Sequence, residues 1–315
     1  MHAHVLRYLE EVVRRGSIRK AAEALNVASS AVNRQILKLE ATLGAPLFER
    51  RTGGVRLTPA GEILARHARE TLYGFARARA SIDDLKGLKT GQVRIVALDS
   101  LMVDFLPAAL EEFHRLYPGV SFSVMASGPS DVGDEVVSGE ADIGLSFALG
   151  NMEHLKLIAR IPTAMHAIVA SGHPLARRRV VRLVDCAQYP LALVHDTLPL
   201  TPLLEGEFAR VGAEPMALLR SNSMEFLRQA VKSGMCVAFF TRLGFVHEIE
   251  KREVVAIPLA ETRLSGIPLA VMVSARRPLS VAAAAVADHL ARRLQNLAKP
   301  GAAPVARGGR RRRST

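Results

Sequence analysis

The spacing of hydrophobic positions in the first sixty residues predicts three short helices followed by a hairpin. Apolar residues recur at helical spacing from Leu6 to Val13, and Gly16 ends this first helix. Ser17 can cap a second helix over 18–25, and after a tight connection a third helix covers 29–43. The third helix has an apolar stripe of Val32, Ile36, Leu39 and Leu43.

Two short helices joined by a tight connection are typical of a helix-turn-helix. The other face of the third helix carries Ser29, Ser30, Asn33, Arg34 and Lys38. These side chains can bond base edges and phosphates in a major groove, although most polar helix faces are simply solvated. We expect Arg34 to fix the docking through a phosphate or base contact, and Ser29, Ser30 and Asn33 to read bases.

A hairpin follows, because two short apolar strands flank Gly53 and Gly54. It carries the basic residues Arg50, Arg51 and Arg56. A basic hairpin beside a helix-turn-helix is a wing, placed to contact phosphates or a minor groove. Ser17 completes the set of residues that we predict to bind DNA.

Thr58 then caps a long helix that has Pro59 at its first position and runs to about Lys86. Its narrow apolar stripe consists of Leu64, Ala68, Leu72, Phe75, Ile82 and Leu85. Such a stripe needs a partner, most simply a second copy of the chain in a dimer; packing on the chain's own body is the alternative. Residues 87–91 are predicted to form a hinge.

The formal charge of +12 is concentrated at the two ends of the chain. Residues 1–90 hold 16 Lys/Arg and 9 Asp/Glu (+7), residues 91–298 hold 20 and 21 (−1), and residues 299–315 hold 6 and 0 (+6). This asymmetry favours a nucleic-acid-binding head, a neutral body and a disordered basic tail. The tail either adds nonspecific DNA affinity or is solvated without a role.

The second and third helices and the wing carry a family resemblance. Residues 16–61 read GSIRKAAEALNVASSAVNRQILKLEATLGAPLFERRTGGVRLTPAG. This string resembles the DNA-binding domain of LysR-type transcriptional regulators, and a looser similarity continues to about residue 297. The resemblance implies a homodimeric or homotetrameric regulator that binds double-stranded DNA and a small-molecule effector, with RNA polymerase as a possible further partner.

From residue 92 onward, apolar strands alternate with amphipathic helices, which favours parallel sheets covered by helices. The predicted strands are 93–98, 120–125, 142–146, 162–170, 191–195, 216–220, 236–240 and 267–273. The predicted helices are 102–116, 129–138, 201–211, 223–233 and 279–298. This arrangement resembles the periplasmic-binding-protein-like effector domain of LysR-type regulators, with two Rossmann-like lobes. The predicted fold is therefore an all-α winged helix-turn-helix, a long linker helix and this two-lobed α/β domain.

Folds of this kind bind ligands between the lobes, where strands end and helices begin. The residues at those positions are Ser100, Leu101, Ser127, Gly128, Ser146, Phe147, Thr197, Asn222 and Ser223. Hydroxyls and free backbone N–H groups there would suit an anion such as a small carboxylate. Asp99 disfavours an anion at its own position, or faces an amine. For each Ser or Thr taken singly, capping of its own helix is the simpler interpretation.

Several other classes of function lack support in the sequence. Cys186 and Cys236 could pair, but two buried thiols are the simpler reading, and no zinc-binding spacing occurs. The S-x-x-K match at Ser17 lies within the helix-turn-helix, and there is no G-x-S-x-G, P-loop or dinucleotide motif. No apolar run approaches the roughly 20 residues of a membrane helix, and no signal-peptide core is present. We therefore expect a cytoplasmic, nucleoid-associated protein that is not an enzyme and needs no cofactor or metal.

The predicted division is a winged helix-turn-helix over 1–58, a linker and dimerisation helix with its hinge over 59–90, an effector domain over 91–298 and the tail over 299–315. Lobe I takes about 91–162 and 267–298, and lobe II about 163–266. The predicted function is a regulator that reads an imperfect palindrome under effector control. The alternative is a ligand-binding or enzymatic α/β protein whose head serves only oligomerisation.

Overall fold

A computed structural model of the chain describes residues 3–51, 54–84, 90–194 and 200–297. The N-terminal elements are α1 (Ala3–Arg15), α2 (Ile18–Ala24), α3 (Ser29–Leu43), β1 (Phe48–Arg51), β2 (Gly54–Leu57) and α4 (Pro59–Asp84). We call residues 3–58 the head and α4 the linker helix. The helix-turn-helix and its hairpin are therefore confirmed, and α3 has the predicted bounds.

Local chemistry explains where the head helices begin and end. Gly16 and Gly44 adopt φ values of +60° and +66°, a backbone region that favours glycine, and they end α1 and α3. The Ser17 hydroxyl accepts a hydrogen bond from the Lys20 N–H at 3.4 Å and caps α2. Leu43, predicted as part of the α3 stripe, is half-exposed because it lies in the last turn of the helix, beyond the head core.

The hairpin is held against the turn between α1 and α2. Phe48 pairs with Leu57 across the two strands, and the Val55 N–H donates to the Gly16 carbonyl at 2.9 Å. A Cβ at Gly54 would lie 2.3 Å from that same carbonyl oxygen, so only glycine permits this approach. The wing thus has a fixed position beside the helix-turn-helix.

The linker helix packs on its own chain over the first half of its predicted stripe. Leu64 and Ala68 are buried in the head core, and Leu72 packs against its edge. The expectation that the whole stripe is reserved for a second copy is therefore wrong for this half, because α1 already covers it. Phe75 is 64% exposed; Leu85 lies outside the described residues, and the side chain of Ile82 is not described.

The C-terminal part is a mixed α/β domain. Its strands are β3 (Gly91–Ala97), β4 (Val120–Ala126), β5 (Ile143–Phe147), β6 (Leu155–Ala170), β7 (Leu191–Val194), β8 (Ala217–Ser221), β9 (Val237–Thr241), β10 (Val254–Pro258) and β11 (Ser265–Ser274). Its helices are α5 (Asp99–Met102), α6 (Phe105–Leu116), α7 (Pro129–Ser138), α8 (Leu183–Cys186), α9 (Leu200–Arg210), α10 (Met224–Lys232), α11 (Val246–Glu250) and α12 (Val281–Leu297). Short 3-10 turns cover Pro174–Arg177, Arg242–Phe245 and Thr262–Leu264.

The strands follow the order β4-β3-β5-β11-β6-β9-β7-β8, and β10 also pairs with β6. Parallel pairing is confined to β4-β3-β5 in lobe I and β9-β7-β8 in lobe II. The strands between them are antiparallel. The two Rossmann-like lobes are thus confirmed, and they are joined through β6, which pairs with strands of both.

Two predicted elements differ from the structure. The strand expected over 162–170 begins at Leu155, because its first half pairs with β11 and its second half with β9 and β10. The helix expected over 102–116 is broken into α5 and α6. Pro107 lies in the first turn of α6, where its missing N–H costs nothing, and it cannot occupy the interior of a longer helix. As predicted, α12 returns to lobe I: the His289 ring nitrogen Nε2 lies 2.9 Å from the Ala109 carbonyl.

Candidate nucleic-acid interface and ligand cavity

Helix α3 buries its apolar side in the head and presents a polar side to solvent. The outward residues are those predicted to bind DNA: Ser29, Ser30, Asn33, Arg34 and Lys38. Asn33 is partly buried and the other four are exposed. Within the described part of the chain, none of these five side chains has a hydrogen-bond or ion-pair partner. Their donors are therefore available to bases and phosphates.

The start of α3 also lacks a side-chain cap. The N-cap residue is Ala28, which has no acceptor to offer to the first-turn N–H groups. Free N–H groups and the helix dipole favour a phosphate at this end. Ser17, by contrast, already accepts one hydrogen bond through its oxygen to cap α2, while its hydroxyl proton remains available to donate.

The wing arginines are placed differently from one another. Arg56 is exposed and lies opposite Glu49 in the hairpin register. The guanidinium of Arg51 lies 3.6 Å from the Glu49 carboxylate, a long ion pair that solvent weakens. Arg50 belongs to β1, but its side chain lies outside the described residues. The wing thus presents Arg56 and Arg51 beside α3.

A cavity of about 360 Å³ lies between the two lobes. Five of the predicted effector residues line it: Ser100, Ser127, Gly128, Phe147 and Asn222. They come from the ends of β3, β4, β5 and β8, which meet at this point because each is a parallel strand of its lobe. Residues at these strand ends thus contribute to both walls of the cavity.

Three predicted residues do not line the cavity. Leu101 is fully buried in the lobe I core, because α5 turns its apolar side inward. Ser146 is 1% exposed and its hydroxyl contacts the Pro129 carbonyl at 3.4 Å. Ser223 caps α10 by accepting a hydrogen bond from the Phe226 N–H at 3.3 Å. Thr197 lies outside the described residues.

The structure adds lining residues that the sequence argument missed. Thr241 ends β9 and would have been found had the strand-end argument been applied to that strand. Thr201 lies in the first turn of α9, where a hydroxyl among leucines and prolines was the signal. Nothing in the sequence marks Met165 as a cavity residue, because a methionine in the middle of an apolar strand is typical of an ordinary core position. Leu204 and Phe208 complete an apolar wall from α9.

The charged groups of the cavity are acidic. Asp99, Asp131 and Glu205 line it, and no Lys, Arg or His belongs to the lining formed by the described residues. A small carboxylate, the ligand expected from the helix N-termini, would meet no cationic side chain among them. Of these three carboxylates, Glu205 has a cation at ion-pair distance: a guanidinium nitrogen of Arg220 lies 3.6 Å from a carboxylate oxygen of Glu205.

One cavity residue connects to the side of lobe I that faces the linker helix. The Ser127 hydroxyl donates to Glu135 Oε1 on α7 at 2.6 Å. Burial raises the pKa of Glu135 above its usual value, and the hydrogen bond from Ser127 opposes this shift. Near the end of α7, Glu140 forms an ion pair with Arg69 of the linker helix at 2.7 Å. Glu135, Glu140 and Arg69 line one surface pocket, so Glu135 lies between Ser127 and the contact of lobe I with α4.

The two cysteines are buried and unpaired, in agreement with the reading of two free thiols. Burial raises the pKa of the Cys186 thiol to about 12 and that of Cys236 to about 11. Both therefore remain thiols at neutral pH and are weak nucleophiles.

Among the described helices, none combines the length and the apolar character needed to cross a membrane.

Comparisons with known proteins agree with this geometry. Residues 4–62 match the family model of the bacterial regulatory helix-turn-helix protein, lysR family, and residues 86–295 match that of the LysR substrate binding domain. The HTH-type transcriptional regulator CysB of Burkholderia cenocepacia is 28% identical over 254 residues, covering 80% of this chain and 81% of that protein.

Solved structures share the fold along most of the chain. The crystal structure of CbnR, a LysR family transcriptional regulator, has a TM-score of 0.69 at 19% identity, covering 93% of this chain and 99% of CbnR. Full-length CbnR in complex with its target DNA has a TM-score of 0.67 at 18% identity, covering 93% of this chain and 100% of that one. With both family models matched, the chain belongs to the LysR family and is a DNA-binding transcriptional regulator with an effector-binding domain.

Proposed function

We propose that this regulator reads an imperfect palindromic promoter site through α3 and the wing. A small molecule bound between the lobes would control it. The observation that carries the proposal is the outward face of α3, where five polar side chains lack partners in the described part of the chain. Groups that can donate to bases or phosphates, with nothing in the protein to satisfy them, are what direct readout requires.

A palindromic site is expected if the protein binds DNA as a dimer. The exposed Phe75 and the outer half of α4 supply a surface for a second copy, which would place two heads on two half-sites. The alternative, a head that serves only oligomerisation, is not favoured, because a single docking surface needs no unpaired Arg34 and Lys38 beside a basic wing. Dimers could associate further into tetramers, and the promoter-bound assembly would contact RNA polymerase.

We assign the parts of the chain accordingly. Residues 1–58 bind DNA, 59–90 link and dimerise, and 91–298 bind the effector; the basic tail at 299–315 lies outside the described residues. The regulator would act in the cytoplasm on the nucleoid, without catalysis of its own. Support for the last point is that the described residues of the cavity lining include no nucleophile paired with a base, and the relative CysB is named a transcriptional regulator.

Promoter binding tests the proposal. Purified full-length chain would be incubated with fragmented DNA of its source organism, and the enriched site then used in titrations at several salt concentrations. We expect a palindromic site, and affinity that falls steeply with salt. Asn33→Ala should relax selectivity at one base position by about 1–3 kcal/mol, whereas Arg34→Ala should weaken binding to every sequence.

Arg115 gives a matched control, because it is an exposed arginine on α6 of the effector domain. Arg115→Ala should leave the affinity and the salt slope unchanged. A 1–299 chain without the tail should still enrich the palindrome. Uniform binding that disappears with the tail, or full affinity in both α3 variants, would contradict the proposal.

A further inference from the structure

The charge of the interlobe cavity points to the class of its ligand. Two of its three carboxylates, Asp99 and Asp131, have no cationic partner in the described part of the chain. Both lie in the first turn of a helix that faces the cavity, α5 for Asp99 and α7 for Asp131. A carboxylate at the positive end of a helix opposes the field that would otherwise attract an anion. The start of α7 is therefore already compensated by the protein's own negative charge, and Asp99 places a second negative charge at the single turn of α5.

Two hydroxyls inside the cavity give an independent sign of a bound molecule. Thr201 is 8% exposed and Thr241 is 5% exposed, and both line the cavity. Among the described residues, no group hydrogen-bonds to either hydroxyl, and Thr241 does not cap the turn that follows it. Neither hydroxyl oxygen is enclosed by protein, so both remain open to the cavity, where each can donate and accept a hydrogen bond. A ligand with a polar atom would satisfy these groups.

Besides the polar residues already named, the lining has an apolar part. Met165 from β6, together with Leu204 and Phe208 from α9, forms a wall that can bury a hydrocarbon or aromatic body. Asp99 and Asp131 are solvent-exposed in the absence of a ligand, and a ligand that covers them displaces the water that screens their charges. Attraction for a cation and repulsion of an anion both grow as water is displaced.

We infer that the cavity takes a protonated amine with an apolar body, rather than a carboxylate. The ammonium group meets Asp99 and Asp131, the body packs on the apolar wall, and Thr201 and Thr241 bond a polar atom of the ligand. This inference rests on the proposed function, in which the cavity is the effector site. It goes further by naming the effector's charge.

Three probes share a phenylethyl group and differ in the charge of their terminal group: phenethylamine, 2-phenylethanol and 3-phenylpropanoate. Each is titrated calorimetrically into the full-length chain at pH 7. We expect phenethylamine to bind at least about tenfold more tightly than the alcohol, a modest gain for one ammonium–carboxylate contact. The carboxylate should bind most weakly. Equal binding of amine and alcohol, tighter binding of the carboxylate, or no binding of any probe would overturn the inference.

Variants locate the effect. Asp99→Asn with Asp131→Asn keeps the side-chain size and removes both charges, so the advantage of the amine over the alcohol should disappear. The control Asp288→Asn removes an exposed carboxylate on α12 outside the cavity lining and should keep that advantage. Thermal unfolding of each variant checks that it is folded. An undiminished amine preference in the double variant would overturn the inference.

This test is separable from that of promoter binding. If the wild-type chain binds its promoter but prefers the carboxylate probe, only the amine inference fails. If it prefers the amine but binds no palindrome, only the proposed reading of DNA fails.

Discussion

The hydroxyl of Thr58 joins the wing to the linker helix. It donates to the Pro46 carbonyl at 2.6 Å and accepts the Gly61 N–H at 3.0 Å, and the residue is buried. We expect Thr58→Ala to lower the free energy of unfolding by about 1–2 kcal/mol, as for the loss of a helix cap. Thr58→Ser keeps the hydroxyl and should lose much less. Urea unfolding measures both, and equal losses would show that the methyl group, not the hydroxyl, is what stabilises this junction.

Glu135 should make the free energy of unfolding depend on pH in a defined direction. Because burial raises its pKa in the folded protein above the usual 4.5, the folded state disfavours the ionised form relative to the unfolded chain. The stability that Glu135 contributes is therefore present below pH 4.5 and is lost as the pH rises through the folded pKa. Glu135→Gln removes this titration while keeping an oxygen for Ser127. We expect the stability of the variant relative to wild type to increase over that window and then level off.

Urea unfolding at a series of pH values measures this difference. Glu111→Gln, which makes the same substitution at an exposed glutamate on α6, serves as the matched control. A difference between Glu135→Gln and wild type that stays constant with pH would contradict the prediction.

At the scale of elements, the linker helix is docked on lobe I by an ion pair and a stacked arginine. Arg69 pairs with Glu140 at 2.7 Å, and the guanidinium of Arg94 lies 4.3 Å from the Tyr73 ring centre. Both partners of the ion pair are about one-third exposed, so we expect a coupling energy of about 0.5–1 kcal/mol. A double-mutant cycle with Arg69→Ala and Glu140→Ala measures it by urea unfolding. The same cycle with Arg66→Ala, an exposed arginine one turn away that forms no ion pair within the described residues, should give a smaller coupling.

Elements were predictable from sequence where local chemistry alone decides them. Helix α3 has its predicted bounds because Gly44 provides the left-handed end and an apolar repeat marks the buried side. Pro107 carried the signal for the break between α5 and α6, but the apolar repeat runs through it and hid the break. The start of β6 at Leu155 depends on pairing with β11, more than a hundred residues later, and no local pattern encodes that.

At the scale of the whole molecule, the sequence located the cleft but not all of its lining. Strand ends meet in a two-lobed fold, so Ser100, Ser127 and Asn222 could be placed without coordinates. Which way a side chain turns after a strand depends on the packing of the next helix, and this sends Leu101 into the core. The absence of a cation among the described lining residues is likewise a property of the assembled cavity. It follows from which residues α9 and β9 bring to the second wall.

The two lobes also touch beside the cavity, at Gly244 in the 3-10 turn that follows β9. A Cβ at this position would lie 3.2 Å from Ser100 Cβ in lobe I and 2.7 Å from the end of the Met224 side chain. The turn itself is held by Arg228, whose guanidinium donates a hydrogen bond to the Gly244 carbonyl at 2.7 Å. We expect Gly244→Val to force α5 away from the turn, at a cost of about 1–3 kcal/mol for overpacking. Hydrogen exchange at residues 99–102 should then become faster, because these amides lose their cover from lobe II. Gly172→Val adds the same side chain where no atom lies within 4 Å, so it should leave that exchange unchanged. Identical exchange in the two variants would mean that the lobes do not hold this contact in solution, and that the cleft is open in the absence of ligand.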